Sequence, residues 1–293
     1  MKFVRILLVV FNKLIIYNNF HNGDVHYSRE IAKIYRDFIP SKQVIYAHLN
    51  HPKILKDLNI DYMTTHLDKE LFVFDDNNNL YINTWIGTNA RKYLVNGEVT
   101  CKNNLLMYND VKDILSNRYG VVLPDRSLRD FVPSIDFTRF NTSPINSFFE
   151  INKKKTVFYV NSKVLSGQSP NINHDIIIEY IASNNPDINF IVTNKTNIVK
   201  ENVFYANEIN QVQDGCDLIE NGYISTLCDI IIGQGSGSFC FAGIKENYLS
   251  DKLIIGIGYS KNTVMWYDTL NNICFNDNEV EILKENIHNA IKG

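Results

Sequence analysis

The 293-residue chain is 45% hydrophobic and 21% charged with a net charge of −3, the profile of a globular protein long enough for two ordinary domains. It has no Lys/Arg run and no acidic block, so no nucleic-acid partner is expected. Its five widely spaced cysteines include no C-x-x-C pair, which argues against a disulfide frame or a zinc site and points to a reducing, cytoplasmic compartment, with a peripheral position at a membrane left open.

The apolar opening FVRILLVVFNKLIIY (3–17) is interrupted by Arg5 and Lys13. It is too short and broken to span a bilayer and predicts buried strands, not a transmembrane segment. KLIIYNN (13–19) reads as a strand, and residues 27–39 read as a helix. The loop between them, NFHNGDVHYSRE (19–30), puts Gly23, Asp24 and His26 where a strand turns into a helix. Asp24 also suits a simple helix cap. Residues 43–49 predict a strand, and 52–60 a short helix opening on Pro52. ELFVF and LYINTWI flank DDNNN as a hairpin, so Asp75 and Asp76 read as turn residues and not as a metal-binding D-x-D. No His/Cys cluster has zinc spacing, and no metal is expected. A helix over 109–120 stops at Gly120. The stretch 123–155 is polar and holds three prolines. It places a boundary near residue 150, with domains 1–150 and 151–293.

The second half alternates more clearly. Strands are predicted over 155–162, 188–194, 202–207, 229–233 and 251–258, and helices over 172–184, 217–228, 238–246 and 278–292. Asn173 and Asn278 are the expected caps of two of these helices. Such alternation implies βαβ units, an α/β fold with parallel sheets covered by helices. The continuously apolar runs 230–232 and 253–255 fit strands buried on both faces.

IIIGQGSGSFCFAG (230–243) then stands out. A strand, a glycine loop and a helix start offer unpaired backbone N–H groups and the positive end of a helix dipole to an anion. Gly235 and Gly237 leave room for close approach, and Ser236 and Ser238 add hydroxyls. The spacing is not the dinucleotide G-x-G-x-x-G, a P-loop or a G-x-S-x-G elbow. A tight turn without ligand is the plain alternative. A second loop at the same sheet edge, YVNSKVLSGQSPN (159–171), carries Lys163, Ser166, Gly167 and Gln168. Two polar loops and one lysine suit a diphosphate, although Lys163 alone would pass for a surface lysine.

Together NGDVHYS, NSKVLSGQ and LCDIIIGQGSGSFCFAG resemble the GT-B glycosyltransferases, and among them the heptosyltransferase group, over most of residues 155–258 and about residues 13–40. The resemblance implies two Rossmann-like domains facing across a cleft: an acceptor-side domain (1–150) and a donor-binding domain (151–293). It implies metal-independent, inverting sugar transfer from a nucleotide diphosphate sugar to a glycan or other hydroxyl acceptor, with no cofactor beyond the donor. Asp24 would be the general base and His26 its reserve. Lys163, Ser166, Gly167, Gln168, Gly235, Ser236, Gly237 and Ser238 would hold the donor diphosphate. Gly23 and Arg29 would lie on the acceptor side. Outside the stretches that carry the resemblance, Trp85 could line an acceptor pocket, with an ordinary core or surface residue as the plain alternative. A sugar-nucleotide epimerase of related fold and a non-catalytic GT-B-like binding protein are the alternatives.

Overall fold

Continuously apolar runs joined by helical crossovers fold here into two parallel-dominated sheets, each covered by helices. The computed structural model describes residues 9–67, 70–87, 93, 101–164, 171–258, 271–276 and 279–293. The start of the apolar opening, Ser166, Gly167, Gln168 and the Asn278 cap lie outside the described residues. Among the described residues no helix is long and apolar enough to cross a membrane.

The chain divides into units Met1–Pro133 and Ser134–Gly293. The division falls inside the polar stretch 123–155 and upstream of residue 150. The cause is a helix that the periodicity did not announce, Ser143–Ile151. It belongs to the second unit because Phe148 packs edge-on against Phe204 (5.0 Å) and the Tyr223 hydroxyl donates to Asn146 Oδ1 (2.8 Å).

The first unit contains β1 (Phe11–Tyr17), α1 (Asn22–Tyr27), α2 (Arg29–Phe38), β2 (Ser41–His48), a 3-10 turn (Pro52–Leu58), β3 (Asp61–Thr64), β4 (Phe72–Phe74), β5 (Asn79–Asn83) and α3 (Cys101–Tyr119). The sheet order is β3-β2-β1-β5-β4, parallel except for the β4–β5 hairpin. Asp75 closes that hairpin by accepting the N–H groups of Asn77 and Asn79 (3.0 and 2.9 Å), which is turn chemistry. The helix expected over 27–39 is α2, and a short helix that was not expected, α1, precedes it and holds the Gly23–Asp24 pair, which the sequence pattern places in a loop. Gly120 ends α3 in the left-handed region (φ 65°).

After α4 (Ser143–Ile151), the second unit contains β6 (Thr156–Val160), α5 (His174–Asn184), β7 (Asn189–Val192), β8 (Val203–Tyr205), α6 (Ala206–Asn210), α7 (Leu218–Leu227), β9 (Ile230–Gln234), α8 (Gly237–Cys240), α9 (Lys245–Tyr248), β10 (Leu253–Ile257), β11 (Asn272–Phe275) and α10 (Val280–Lys292). Its all-parallel order, β11-β10-β9-β6-β7-β8, is that of a doubly wound sheet. Ile177, Ile181, Leu283 and Ile287 of α5 and α10 close over Val157, Tyr159, Ile230 and Ile232.

In each unit the winding direction reverses once. β1 sends the chain to β2 on one side while β5 pairs on the other; β6 sends it to β7 while β9 pairs on the other. Ligands of such sheets bind beyond the carboxyl ends of the strands at the reversal. In the second unit the reversal is kept by a close contact. Gly233, between Val160 and Gly256 in the ladder, lies under the Phe239 ring, and a Cβ there would overlap that ring. Gly233→Ala is expected to cost about 1–3 kcal/mol by overpacking, read as a lower urea midpoint.

Candidate functional site

At the β6–β9 reversal the loop after β6 is clasped to the loop after β7. Asn161 Oδ1 accepts from the Asn194 N–H (2.7 Å) and the Thr193 hydroxyl (3.0 Å), and Asn161 Nδ2 donates to the Asn194 carbonyl (3.0 Å). Asn194 Nδ2 returns a bond to the Asn161 carbonyl (3.1 Å). The clasp builds one wall of a cavity of about 240 Å³. Ser162, Thr193, Asn194 and Ser238 line it from the ends of β6, β7 and β9. Tyr205, Asn207, Val212, Gly215, Asp217 and Asn221 line it from β8 onward. Among the described residues the lining holds one carboxylate, that of Asp217, and no cation. Asp217 stands at the N-cap of α7 without a side-chain capping bond. The phenol of Tyr205 is raised by burial and then by the charges of Asp217 and Glu208.

Of the expected donor residues, Ser238 lines this cavity, and exposed Lys163 follows Ser162 in the chain. Ser236 is buried, and its Oγ accepts the Phe239 N–H (3.2 Å) as the N-cap of α8. The helix after the glycine loop is a single turn, a short dipole, and residues 241–244 separate it from α9. What the loop offers is the pair of first-turn amides of Gly237 and Ser238, which have no carbonyl within the helix, and the Ser238 hydroxyl.

At the β1–β5 reversal in the first unit, Asp24 sits in the first turn of α1. Burial raises its carboxyl, while the His21 charge, the amides of Asp24 and His21 and the Trp85 indole act to lower it. The His21 ring lies 3.9 Å away. Burial outweighs the groups that favour the anion and pushes the Asp24 pKa up to about 6. Trp85 stacks on Phe20 with ring centroids 4.1 Å apart.

The structure reassigns two residues. His26 is fully buried with Nδ1 3.1 Å from Arg29 Nη1. A guanidinium only donates, so Nδ1 accepts and the ring proton resides on Nε2. Burial, and then the charges of Arg29 and Lys33, hold the His26 pKa well below its ordinary value. With its lone pair committed, His26 does not serve as a reserve base. Arg29 is likewise fully buried. It pairs with Asp57 and donates to the Ile54 carbonyl (3.3 Å), tying α2 to the 3-10 turn. It is therefore a structural residue and not an acceptor contact. Gly23 is buried inside α1.

Sequence reasoning missed Asn161, Thr193, Asn194 and Asp217. Their signal was present: apolar strands that end abruptly in NS, TN and AN at residues 161, 193 and 206. Among the described residues no group of three or more His, Cys, Asp or Glu side chains is placed to hold a metal ion.

No protein-family model matches the sequence, and no curated protein is similar to it at sequence level. Solved structures are similar in fold. ADP-heptose LPS heptosyltransferase II of E. coli is 8% identical, with 96% of this chain and 97% of that one covered at a TM-score of 0.52. A family 9 glycosyl transferase of Veillonella parvula is 10% identical, with 98% and 90% covered at 0.51. The fold is that of the GT-B glycosyltransferases.

Two outcomes are expected of purified variants. Arg29→Ala removes the guanidinium that faces the buried Asp57 carboxylate and should cost about 3–5 kcal/mol in denaturant unfolding, whereas joint replacement by Met and Leu should recover most of it. Asp24 contributes with the opposite sign. Its folded pKa exceeds the unfolded one, so the folded state holds the extra proton and stability falls as pH rises from about 4 to about 6. Asp24→Asn should therefore be more stable than wild type at pH 7, by up to about 3 kcal/mol, with the gain absent below pH 3.

Proposed function

We propose that the protein is a glycosyltransferase that moves a sugar from a nucleoside diphosphate donor to a hydroxyl acceptor without a metal. The observation that carries this reading is the cavity at the β6–β9 reversal, with its neutral amides and hydroxyls and its single carboxylate. Such a lining suits a nucleoside: Asp217 accepts from ribose hydroxyls, and Asn194, Asn207 and Asn221 offer both donors and acceptors to a base. At about 240 Å³ the cavity is smaller than the ~300–1,000 Å³ of whole ligand sites, so it takes part of the donor. The diphosphate extends toward the Gly237 and Ser238 amides, the Ser238 hydroxyl and Lys163, where its charge is met by fixed dipoles and one ammonium.

In this reading the first unit binds the acceptor, and Asp24 takes its hydroxyl proton. The freed oxygen attacks the anomeric carbon as that carbon's bond to the diphosphate oxygen breaks. The electron pair leaves with the nucleoside diphosphate, and the sugar's configuration inverts. A carboxylate with a pKa near 6 is a better base near neutrality than an ordinary aspartate. The fold, shared with an enzyme that uses ADP-heptose, supports a nucleotide sugar as donor.

Thermal shift against UDP, ADP, GDP and CMP should reveal one nucleotide that stabilises the protein, and Asp217→Ala should abolish that shift. No response to any nucleotide would sink the donor assignment. With that nucleotide's sugar as substrate, Asp24→Asn should retain nucleotide binding and lose about 10²–10⁴-fold in turnover. Wild-type activity should fall on the acid side with a midpoint near pH 6, as the base protonates.

A further inference from the structure

The loop that leaves β1 holds an aromatic ring at the carboxyl edge of the first sheet. Asn18 Oδ1 accepts the Phe20 N–H (3.0 Å), and Asn50, from the loop after β2, donates its Nδ2 to the Phe20 carbonyl (2.8 Å). Next to it, Asn19 binds the backbone of Leu67 twice, donating to the carbonyl (2.5 Å) and accepting the N–H (3.2 Å). The loop after β5 holds the ring itself. Tyr17 and Asn83 are register partners, so the chain beyond Asn83 emerges beside the chain beyond Tyr17. There the Trp85 ring lies nearly parallel to that of Phe20, 14° between planes with centroids 4.1 Å apart. The indole is packed over Gly87, where a Cβ would overlap it. With its backbone and one ring face held in this way, Phe20 is still 40% exposed. A single exposed phenylalanine is ordinary. One fixed from several loops is pre-organised for a partner, and it lies at the edge where ligands of parallel sheets bind.

Polar groups border the ring. The His21 imidazole meets it edge-on, with centroids 4.8 Å apart at 70°. His21 Nδ1 lies 3.9 Å from Asp24 Oδ2, and these side chains are 65% and 27% exposed. An apolar face beside a polar rim is the complement of a sugar ring, which has C–H bonds on one face and hydroxyls around its edge. We propose that Phe20 is the platform for a neutral sugar ring of the acceptor, with the sugar's C–H face on the phenyl ring and its hydroxyls toward His21 and Asp24. The negative face of an aromatic ring attracts the weakly positive C–H hydrogens. A purely apolar acceptor would cover His21 and Asp24 without offering them a hydrogen bond. A phosphate or carboxylate would meet the Asp24 charge, and the Arg29 guanidinium is buried against Asp57 and not offered to it. The inference deepens the acceptor side of the proposed transfer and rests on that reading only in calling the sugar an acceptor.

Saturation-transfer difference NMR with the methyl glucosides, galactosides and mannosides tests the platform without turnover. It is to be run on the free protein and with UDP, ADP, GDP and CMP in turn. At least one glycoside should bind, with transfer strongest to the C–H protons of a single ring face. Phe20→Ala should weaken that binding about 10-fold or more, and Phe20→Leu, which keeps an apolar side chain but no ring, should do the same. Phe20→Tyr should retain it. Urea midpoints establish that each variant is folded. Failure of every glycoside to bind wild type overturns the inference. So does wild-type affinity in folded Phe20→Leu, or binding of octanol or glucose 6-phosphate in preference to every glycoside. Glycoside binding that is lost in Phe20→Leu, in a protein silent toward every nucleotide, supports the platform and overturns the donor assignment instead.

Discussion

A parallel sheet delivers every strand to the same edge, and where two neighbouring strands send the chain in opposite directions, no crossover covers the gap between them. That constraint places the chemistry of both units. In the second unit it opens the carboxyl ends of β6 and β9, and the cavity forms from the loops there. In the first it opens the ends of β1 and β5 and stacks Trp85 on Phe20, 65 positions away in the chain. The rest of each unit keeps these edges rigid. The Asn161–Asn194 clasp satisfies its polar groups on both loops. Arg29 and Asp57 satisfy each other under α2, where either alone would be a costly buried charge.

The two edges are chemically unlike. The cavity of the second unit is polar, and its one formal charge is negative, which suits hydroxyls and a base better than a phosphate. Away from Asp217, the same unit carries exposed Lys163 and the first-turn amides of Gly237 and Ser238, groups that suit an anion. In the first unit the conflict lies within a single residue. Capping N–H groups, His21 and Trp85 all favour ionised Asp24, and burial alone opposes them and prevails. A carboxylate used only as a cap would gain from full exposure. Keeping this one partly buried costs stability at neutral pH and brings its proton affinity into the range where a base is useful.

Much of the fold was legible because the signals were local. The runs that became β6, β7, β9 and β10 are continuous and apolar, the Asp75 hairpin has turn chemistry, and Gly120 sits where a helix must stop. Elements without a local signal were not legible. β3 is exposed at all four positions and has no apolar run, and β11 has only four residues. The helix expected over 238–246 breaks because Asn247 Nδ2 binds the Ala242 carbonyl (2.8 Å) and Ile244 is extended, which ends one turn and starts another. The candidate site divides in the same way. Asp24 and Ser238 sit beside motifs, whereas Arg29 looks like a ligand-binding arginine until Asp57, 28 residues on, is seen to neutralise it.

His26 shows why residue type and proximity in sequence are weak guides to a base. An imidazole two positions from Asp24 has the better ordinary pKa for the task. What decides between them is which group keeps a lone pair free. The His26 lone pair lies 3.1 Å from a guanidinium nitrogen that can only donate, so protonating it would set two cations against each other in a buried site. The Asp24 carboxylate has two oxygens and remains 27% exposed. Among the described residues no guanidinium is set against it, and a carboxylate accepts at either oxygen. Hydrogen-bond valence, which a sequence motif does not record, argues against His26 in that role.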